Sequence, residues 1–182
     1  IAYFATKSPS LENFLAFARE RLSAPDGVRL THLLIRELPE LWAEWTPTTM
    51  VTLTRTYEFS ASHRLHLPQL SQEENVALFG KCNHVHGHGH NYVLEVTVTG
   101  EPDPQTGWIC DLGALDQVVE REILDRYDHR HLNCDIPELN GKNPTSELVG
   151  QAIFDRLNGQ LPAQLVQIKL FETPRSAFVV RA

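Results

Sequence analysis

The segment His88-Gly-His-Asn-Tyr-Val-Leu-Glu-Val-Thr-Val-Thr99 alternates, with His88, His90, Tyr92, Leu94, Val96 and Val98 at one parity and a mostly polar set at the other. A period of two is the signature of a β-strand with one buried face. Val51 to His63 reads the same way: Val51, Leu53, Tyr57, Phe59 and Ala61 oppose Thr52, Thr54, Thr56, Glu58, Ser60 and Ser62, and His63 falls at the apolar parity. Residues 64–80 contain Pro68 and a polar run near Gln72 to Asn75, and read as a loop. Beyond Thr99 the period changes to that of helices. Asp111 is placed to cap a helix whose buried stripe is Leu112, Leu115, Val119 and Ile123, and Asn143-Pro144 opens a second, to about Leu157, with Leu148, Val149, Ala152 and Ile153 inward. Two strands close the chain, Gln164 to Glu172 and Ser176 to Arg181. The expectation is an α+β fold of order ββααββ, a four-stranded antiparallel sheet covered on one face by two helices.

The same strand parity carries chemistry. Residues i and i+2 of a strand project side by side about 6.5–7 Å apart, so His88 and His90 are spaced to chelate one ion at Zn–N distances of about 2.0–2.1 Å. His63 shares their parity on the other strand, and three neutral nitrogens leave zinc an open position. His84 and His86 lie in a loop without a fixed face and are as well explained as solvated side chains. Cys82 admits three readings: a fourth zinc ligand, a buried apolar filler, or a thiolate whose pKa is depressed by histidines, Lys81 and a metal. Asp128-His129 is either an ordinary helix C-terminus or a carboxylate orienting an imidazole for proton relay. Glu172 ends the apolar row Val166, Ile168, Leu170. It is a solvated strand end or an acceptor of two parallel hydrogen bonds from a guanine-like ring.

The chain has 182 residues, 42% of them hydrophobic, with a net charge of −7. That is material for one good core. Nucleic acid and anionic membranes are poor partners for an acidic surface, no apolar run approaches a membrane span, and three widely spaced cysteines suit a reducing, cytoplasmic compartment.

Sliding the sequence on itself by 135 residues superposes Lys7, Pro9, Glu12, Arg21, Leu22, Leu30, Glu37 and Pro39 on Lys142, Pro144, Glu147, Arg156, Leu157, Leu165, Glu172 and Pro174 without a gap. Chance would give roughly two such identities over this length. Pro9 to Leu22 has helical spacing, with Ser8 as expected N-cap and Pro9 at N1, and Leu30 to Glu37 reads as a strand. The expected organisation is therefore a C-terminal half copy over 1–46 (helix-strand-strand), a linker over 47–50, and a complete domain over 51–182, with the front half of the first copy missing upstream.

Phe59-Ser-Ala-Ser-His63-Arg64-Leu65, Cys82-x5-His88-Gly-His90-Asn-Tyr92, Asp128-His129 and Phe171-Glu172-Thr173 occur in this order, and together they resemble the 6-pyruvoyl-tetrahydropterin synthase / 6-carboxytetrahydropterin synthase family over about residues 51–182. The resemblance implies the tunnelling fold, in which copies join their sheets into a barrel as trimers or paired trimers with sites between subunits. It implies a zinc-dependent lyase acting on 7,8-dihydroneopterin triphosphate. In that picture His63, His88 and His90 hold Zn2+ against the substrate's side-chain hydroxyls, Cys82 is the base, Asp128 and His129 the relay, and Glu172 the pterin anchor, with Thr145, Ser146 and Glu147 lining the pterin pocket. The five residues between Cys82 and His88 resemble the biopterin branch, whereas Pro102-Asp-Pro-Gln-Thr-Gly-Trp-Ile resembles bacterial, queuosine-type members. A non-catalytic zinc-binding scaffold or pterin-binding paralogue is the alternative.

Overall fold

A computed structural model describes residues 2–22 and 24–182, with only the backbone at Thr49. After a short 3-10 turn at Ala2–Ala5 come helix α1 (Leu11–Arg21) and strands β1 (Leu33–Leu38), β2 (Leu41–Thr46) and β3 (Thr49–His63). Helix α2 (Gln72–Phe79) precedes β4 (His88–Thr99), and α3 (Leu112–Val119) continues through a π-helical segment, Glu120–Leu124, into the single turn α4 (Asp125–Tyr127). The short β5 (Arg130–His131) and α5 (Leu132–Asp135) lead to α6 (Ser146–Leu157), β6 (Gln164–Thr173) and β7 (Ser176–Arg181).

The sheet runs β1-β2-β3-β4-β6-β7, every pair antiparallel, with β5 pairing in parallel with β3 at residues 61 and 62. Four long strands in chain order over 51–182 are as expected, but the simple ββααββ order is not what the chain contains. Residues 72–79 form α2, closed by a capping box in which Ser71 and Glu74 exchange side-chain and backbone hydrogen bonds. In the polar run read as loop, Gln72 to Glu74 are the exposed surface of that helix, and Asn75 is buried, its amide bonded to the backbone of Leu67, Leu70 and Ser71.

Residues 47–50 do not act as a spacer. Thr46 pairs with Thr49 across a tight turn, so β2 and β3 are a hairpin and residues 33–46 extend the same sheet. Helix α1 starts two residues later than expected, with Ser10 as N-cap accepting from the Asn13 N–H and Pro9 outside the helix. Asp111 caps α3 as read, its Oδ1 accepting from Gly113 and Ala114.

One core joins the sheet to the helices. Phe59, Tyr92, Leu94, Val96 and Val98 from the strands meet Leu115, Val119, Ile123, Tyr127, Val149 and Ile153. Phe59 stacks on Tyr92 with ring centroids 5.0 Å apart and meets Tyr127 edge-on at 5.9 Å. Leu148, expected inside, is 40% exposed, because the inward stripe of α6 runs through Val149, Gly150, Ile153 and Leu157. Thr54 and Thr97, expected on a solvated face, are buried and hydrogen-bond each other at 2.9 Å.

Candidate metal centre

The antiparallel register of β3 and β4 places His63 directly opposite His88 and Ala61 opposite His90. The three imidazoles therefore converge at one end of the strand pair, with centroids 4.5, 5.1 and 4.9 Å apart. One ring nitrogen from each lies within 4.8 Å of the others, the one group of this kind among the described residues. Nε2 of His63 and of His88 are 3.1 Å apart, close to the roughly 3.3 Å expected for two nitrogens on one tetrahedral zinc.

The surroundings prepare His63 as a ligand. Its ring is 1% exposed, and its Nδ1 lies 2.8 Å from the carbonyl of Pro144, which can only accept. The proton of the neutral ring therefore sits on Nδ1 and the Nε2 lone pair faces the cluster. Burial pushes the His63 pKa down, and the neighbouring His88 and His90 push it further, against the Pro144 carbonyl. His88 is lowered by burial and then by His90. His90 Nε2 and His88 Nδ1 are buried without a hydrogen-bond partner. A set of three converging imidazoles, two of them with a buried nitrogen that lacks a partner, fits a divalent cation of borderline softness such as zinc.

Glu172 comes to this centre from β6. Its Oε1 is 3.4 Å from His63 Nε2 and 3.8 Å from His90 Nε2. Tyr92, the next residue in the His88/His90 row, is buried with its hydroxyl unpartnered and its ring 5.7 Å from that of His90. Burial, and then the charge of Glu172, raise the Tyr92 pKa. Tyr92 was legible only as a core residue, although its parity already placed it in the histidine row.

The segment after His63 is pinned by side-chain amides, of which Asn83 is buried. Asn133 accepts from the Arg64 N–H, Asn143 from the His66 N–H, and Asn83 donates to the Leu65 carbonyl. Cys82 lies in the 3-10 turn Gly80–Asn83, half-buried, and its carbonyl accepts from the N–H of Leu65, two residues beyond His63. It is not part of the three-residue ligand group. Gly87 has φ +73°, and a Cβ there would stand 2.8 Å from the His63 carbonyl, so only glycine fits this approach. His84 and His86 are exposed.

Asp128 and His129 pair with each other, Asp128 Oδ2 lying 2.8 Å from His129 Nδ1. Asp128 Oδ1 accepts from the Ser60 N–H at 2.7 Å, and this bond, with His129, holds the carboxyl below its usual range. His129 has φ +56°, a left-handed conformation costly for a side chain of its size, and its imidazole is 83% exposed. His129 borders a shallow 560 Å³ cleft that His90 also lines, with Ser60, Ser62, Gly89 and Asn91. Within one chain no hydrogen bond or ion pair among the described residues joins the pair to the three histidines. Thr145 is the N-cap of α6, Ser146 is buried and Glu147 exposed, and this helix start reaches the centre through the Pro144 carbonyl.

Residues 52–182 match the family model described as 6-pyruvoyl tetrahydropterin synthase. A Drosophila melanogaster relative, "6-pyruvoyl tetrahydrobiopterin synthase", is 43% identical over 131 residues, spanning 71% of this chain and 78% of that protein. A "6-carboxy-5,6,7,8-tetrahydropterin synthase" of Rickettsia bellii is 27% identical over 144 residues, spanning 69% and 96%. Among solved structures, the 6-pyruvoyl tetrahydropterin synthase of Caenorhabditis elegans superposes with a TM-score of 0.67 at 40% identity, over 72% of this chain and 94% of that one.

Proposed function

The chain belongs to the 6-pyruvoyl tetrahydropterin synthase family and is an enzyme of that lyase type, and from this premise we propose that it eliminates triphosphate from 7,8-dihydroneopterin triphosphate at a zinc site held by His63, His88 and His90. The observation that carries the reading is the convergence of three imidazoles beside a carboxylate on one chain.

Zinc, when bound, supplies Lewis-acid polarisation of an oxygen. The remaining work belongs to side chains. Glu172 accepts two hydrogen bonds from the aminopyrimidinone edge of the pterin and so fixes which part of the substrate meets the histidines. Cys82, outside the ligand group but tied to the strand of His63 through Leu65, takes the proton from the side-chain carbon as the triphosphate departs from its neighbour. Asp128 orients the His129 ring, and the pair carries a proton back. Because no hydrogen bond or ion pair among the described residues joins the pair to the three histidines of its own chain, the relay in this reading serves the site of a second copy in a homo-oligomer. Thr145, Ser146 and Glu147 line the pterin side of that composite site.

The pyruvoyl product is favoured over the carboxy product by the greater identity to a relative so named and by the five-residue interval from Cys82 to His88. Residues 1–46 are, in this reading, the C-terminal half of a tandem first copy. Support comes from geometry: the 135-residue offset carries N-cap Ser10 onto N-cap Thr145, the last residue of β1 onto the last of β6, and both ends of β2 onto those of β7.

Incubation of zinc-loaded protein with 7,8-dihydroneopterin triphosphate, with mass spectrometry of the product, tests the assignment. Triphosphate release with a pyruvoyl mass is expected. Absence of release from fully loaded protein sinks the lyase reading, and a carboxy mass redirects it to the other branch.

A further inference from the structure

Strands β1 and β2 pair in the register of β6 and β7. Leu33 faces Trp45, Ile35 faces Ala43 and Leu38 faces Leu41, and 135 residues further on Ile168 faces Val180, Leu170 faces Phe178 and Thr173 faces Ser176. The register slips at residues 36–38 in one pair and at 171–173 in the other, which is the same place. Helix α1 lies on β1 and β2 as α6 lies on β6 and β7.

What covers the two helices differs. The π-helical segment Glu120–Leu124 packs on α6, and Arg156 of α6 crosses to Glu122 at 3.0 Å. Leu115, Val119 and Ile123 complete the cover, and Leu139, Val149 and Leu157 beneath are 0% exposed. The 135-residue offset carries these last three onto Phe4, Phe14 and Leu22. Among the described residues no helix packs on α1 as the π-helical segment packs on α6, and Phe14 is 41% and Leu22 55% exposed. The rings of Tyr3, Phe4, Phe14 and Phe17 form one aromatic surface there, with neighbouring centroids 4.5 to 5.6 Å apart. Arg21, the counterpart of Arg156, lies over the Phe17 ring at 5.4 Å and has no carboxylate partner among the described residues.

We propose that this aromatic face of α1 is a docking surface for an amphipathic helix of the pattern found in α3 and its π-helical continuation. That pattern is aliphatic at i, i+4 and i+8, as at Leu115, Val119 and Ile123, with a carboxylate at i+7, as at Glu122. The proposal rests on the reading of residues 1–46 as a half copy, because the complete copy supplies the description of the occupant. Exposed contiguous rings mark an interaction surface, and an amphipathic helix laid on an apolar face is a recurrent mode of recognition. Charge agrees with shape. Arg19 and Arg21 end α1, and residues 111–127, which cover α6, carry five carboxylates against two arginines. Phe14 and Phe17 in place of Val149 and Ala152 give the face the large aromatic contacts typical of an interface core.

The probe is a fluorescently labelled peptide of residues 111–127, titrated into the full chain and followed by anisotropy. Saturable binding is expected, weakened about tenfold or more by Phe14→Asp, which sets a charge in the middle of the aromatic surface, with zinc content unchanged. Arg21→Glu is expected to weaken it about threefold or more, and a peptide carrying Glu122→Arg to bind Arg21→Glu more tightly than it binds wild type. Absence of binding, or binding indifferent to Phe14→Asp, overturns the proposal and leaves the half-copy reading on its strand register. Dependence on Phe14 without the charge exchange supports a helix site on this face and removes the half-copy premise, so the two fail separately. Sedimentation without peptide is expected to be the same for wild type and Phe14→Asp. A smaller species for Phe14→Asp would show that another copy of this chain covers the face, which overturns its assignment to a separate helix.

Discussion

Individual residues divide into those that hold the centre and those that act at it. Cys82→Ala is expected to retain zinc, measured by elemental mass spectrometry, and to lose turnover by at least about 10²-fold, the lower range for a general base. Loss of the metal instead would make Cys82 a structural ligand. Gly87→Ala forces a Cβ against the His63 carbonyl at a positive φ, so it should cost about 1–3 kcal/mol of stability and lower zinc content together, read by denaturant melts and metal analysis. The side-by-side placement of His88 and His90 was legible because a two-residue step on a strand is a local property. The Pro144 carbonyl that fixes the His63 tautomer was not, because 81 residues separate the partners and nothing local to either names the other.

Elements were legible where one rule governed them. Strands β3 and β4 emerged from parity, and the α3 start from the Asp111 cap. Helix α2 was hidden because its polar, mostly exposed surface gives little periodicity, although Ser71 and Glu74 spell its cap. Ser71→Ala should therefore cost about 1 kcal/mol in denaturant melts without changing zinc content. The helix layer is also tied by charge. Arg156 donates to both Glu138 at 2.9 Å and Glu122 at 3.0 Å, and the buried Tyr127 hydroxyl donates to Glu138. Burial raises the Glu138 pKa, but Arg156 and Tyr127 outweigh it and the net shift is downward. Glu122 is lowered by Arg121 and Arg156. A depressed carboxyl pKa contributes stability that is full above the unfolded value, 4.5, and is lost as pH falls through the folded value. Arg156→Met should flatten the acid limb of stability below about pH 5 while the neutral-pH fold persists. An unchanged acid limb would assign the acid sensitivity elsewhere.

At the scale of the molecule, the sheet ends among the described residues in β1 and β7, each paired on one side, because β2 already covers β3 from Leu41 to Thr46. Open edges favour association, and sedimentation should give a multiple of the 20.6 kDa chain. A strict monomer with full turnover would show that Asp128 and His129 reach the histidines within one chain after all. Removing zinc with a chelator should lower the melting temperature, since an ion bound only by the folded state stabilises it by mass action. By itself the sequence determined which residues share a strand face, and with that the histidine triad and the row ending at Glu172, because parity and spacing are set by backbone geometry within a few residues. Only the tertiary structure decided that residues 33–46 extend one sheet, that His129 and His90 border one cleft without a hydrogen bond between them among the described residues, and that Glu37 opens onto a cavity walled by Leu53 and Trp108. Those facts depend on which distant segments pack together, and packing is a property of the whole chain's burial.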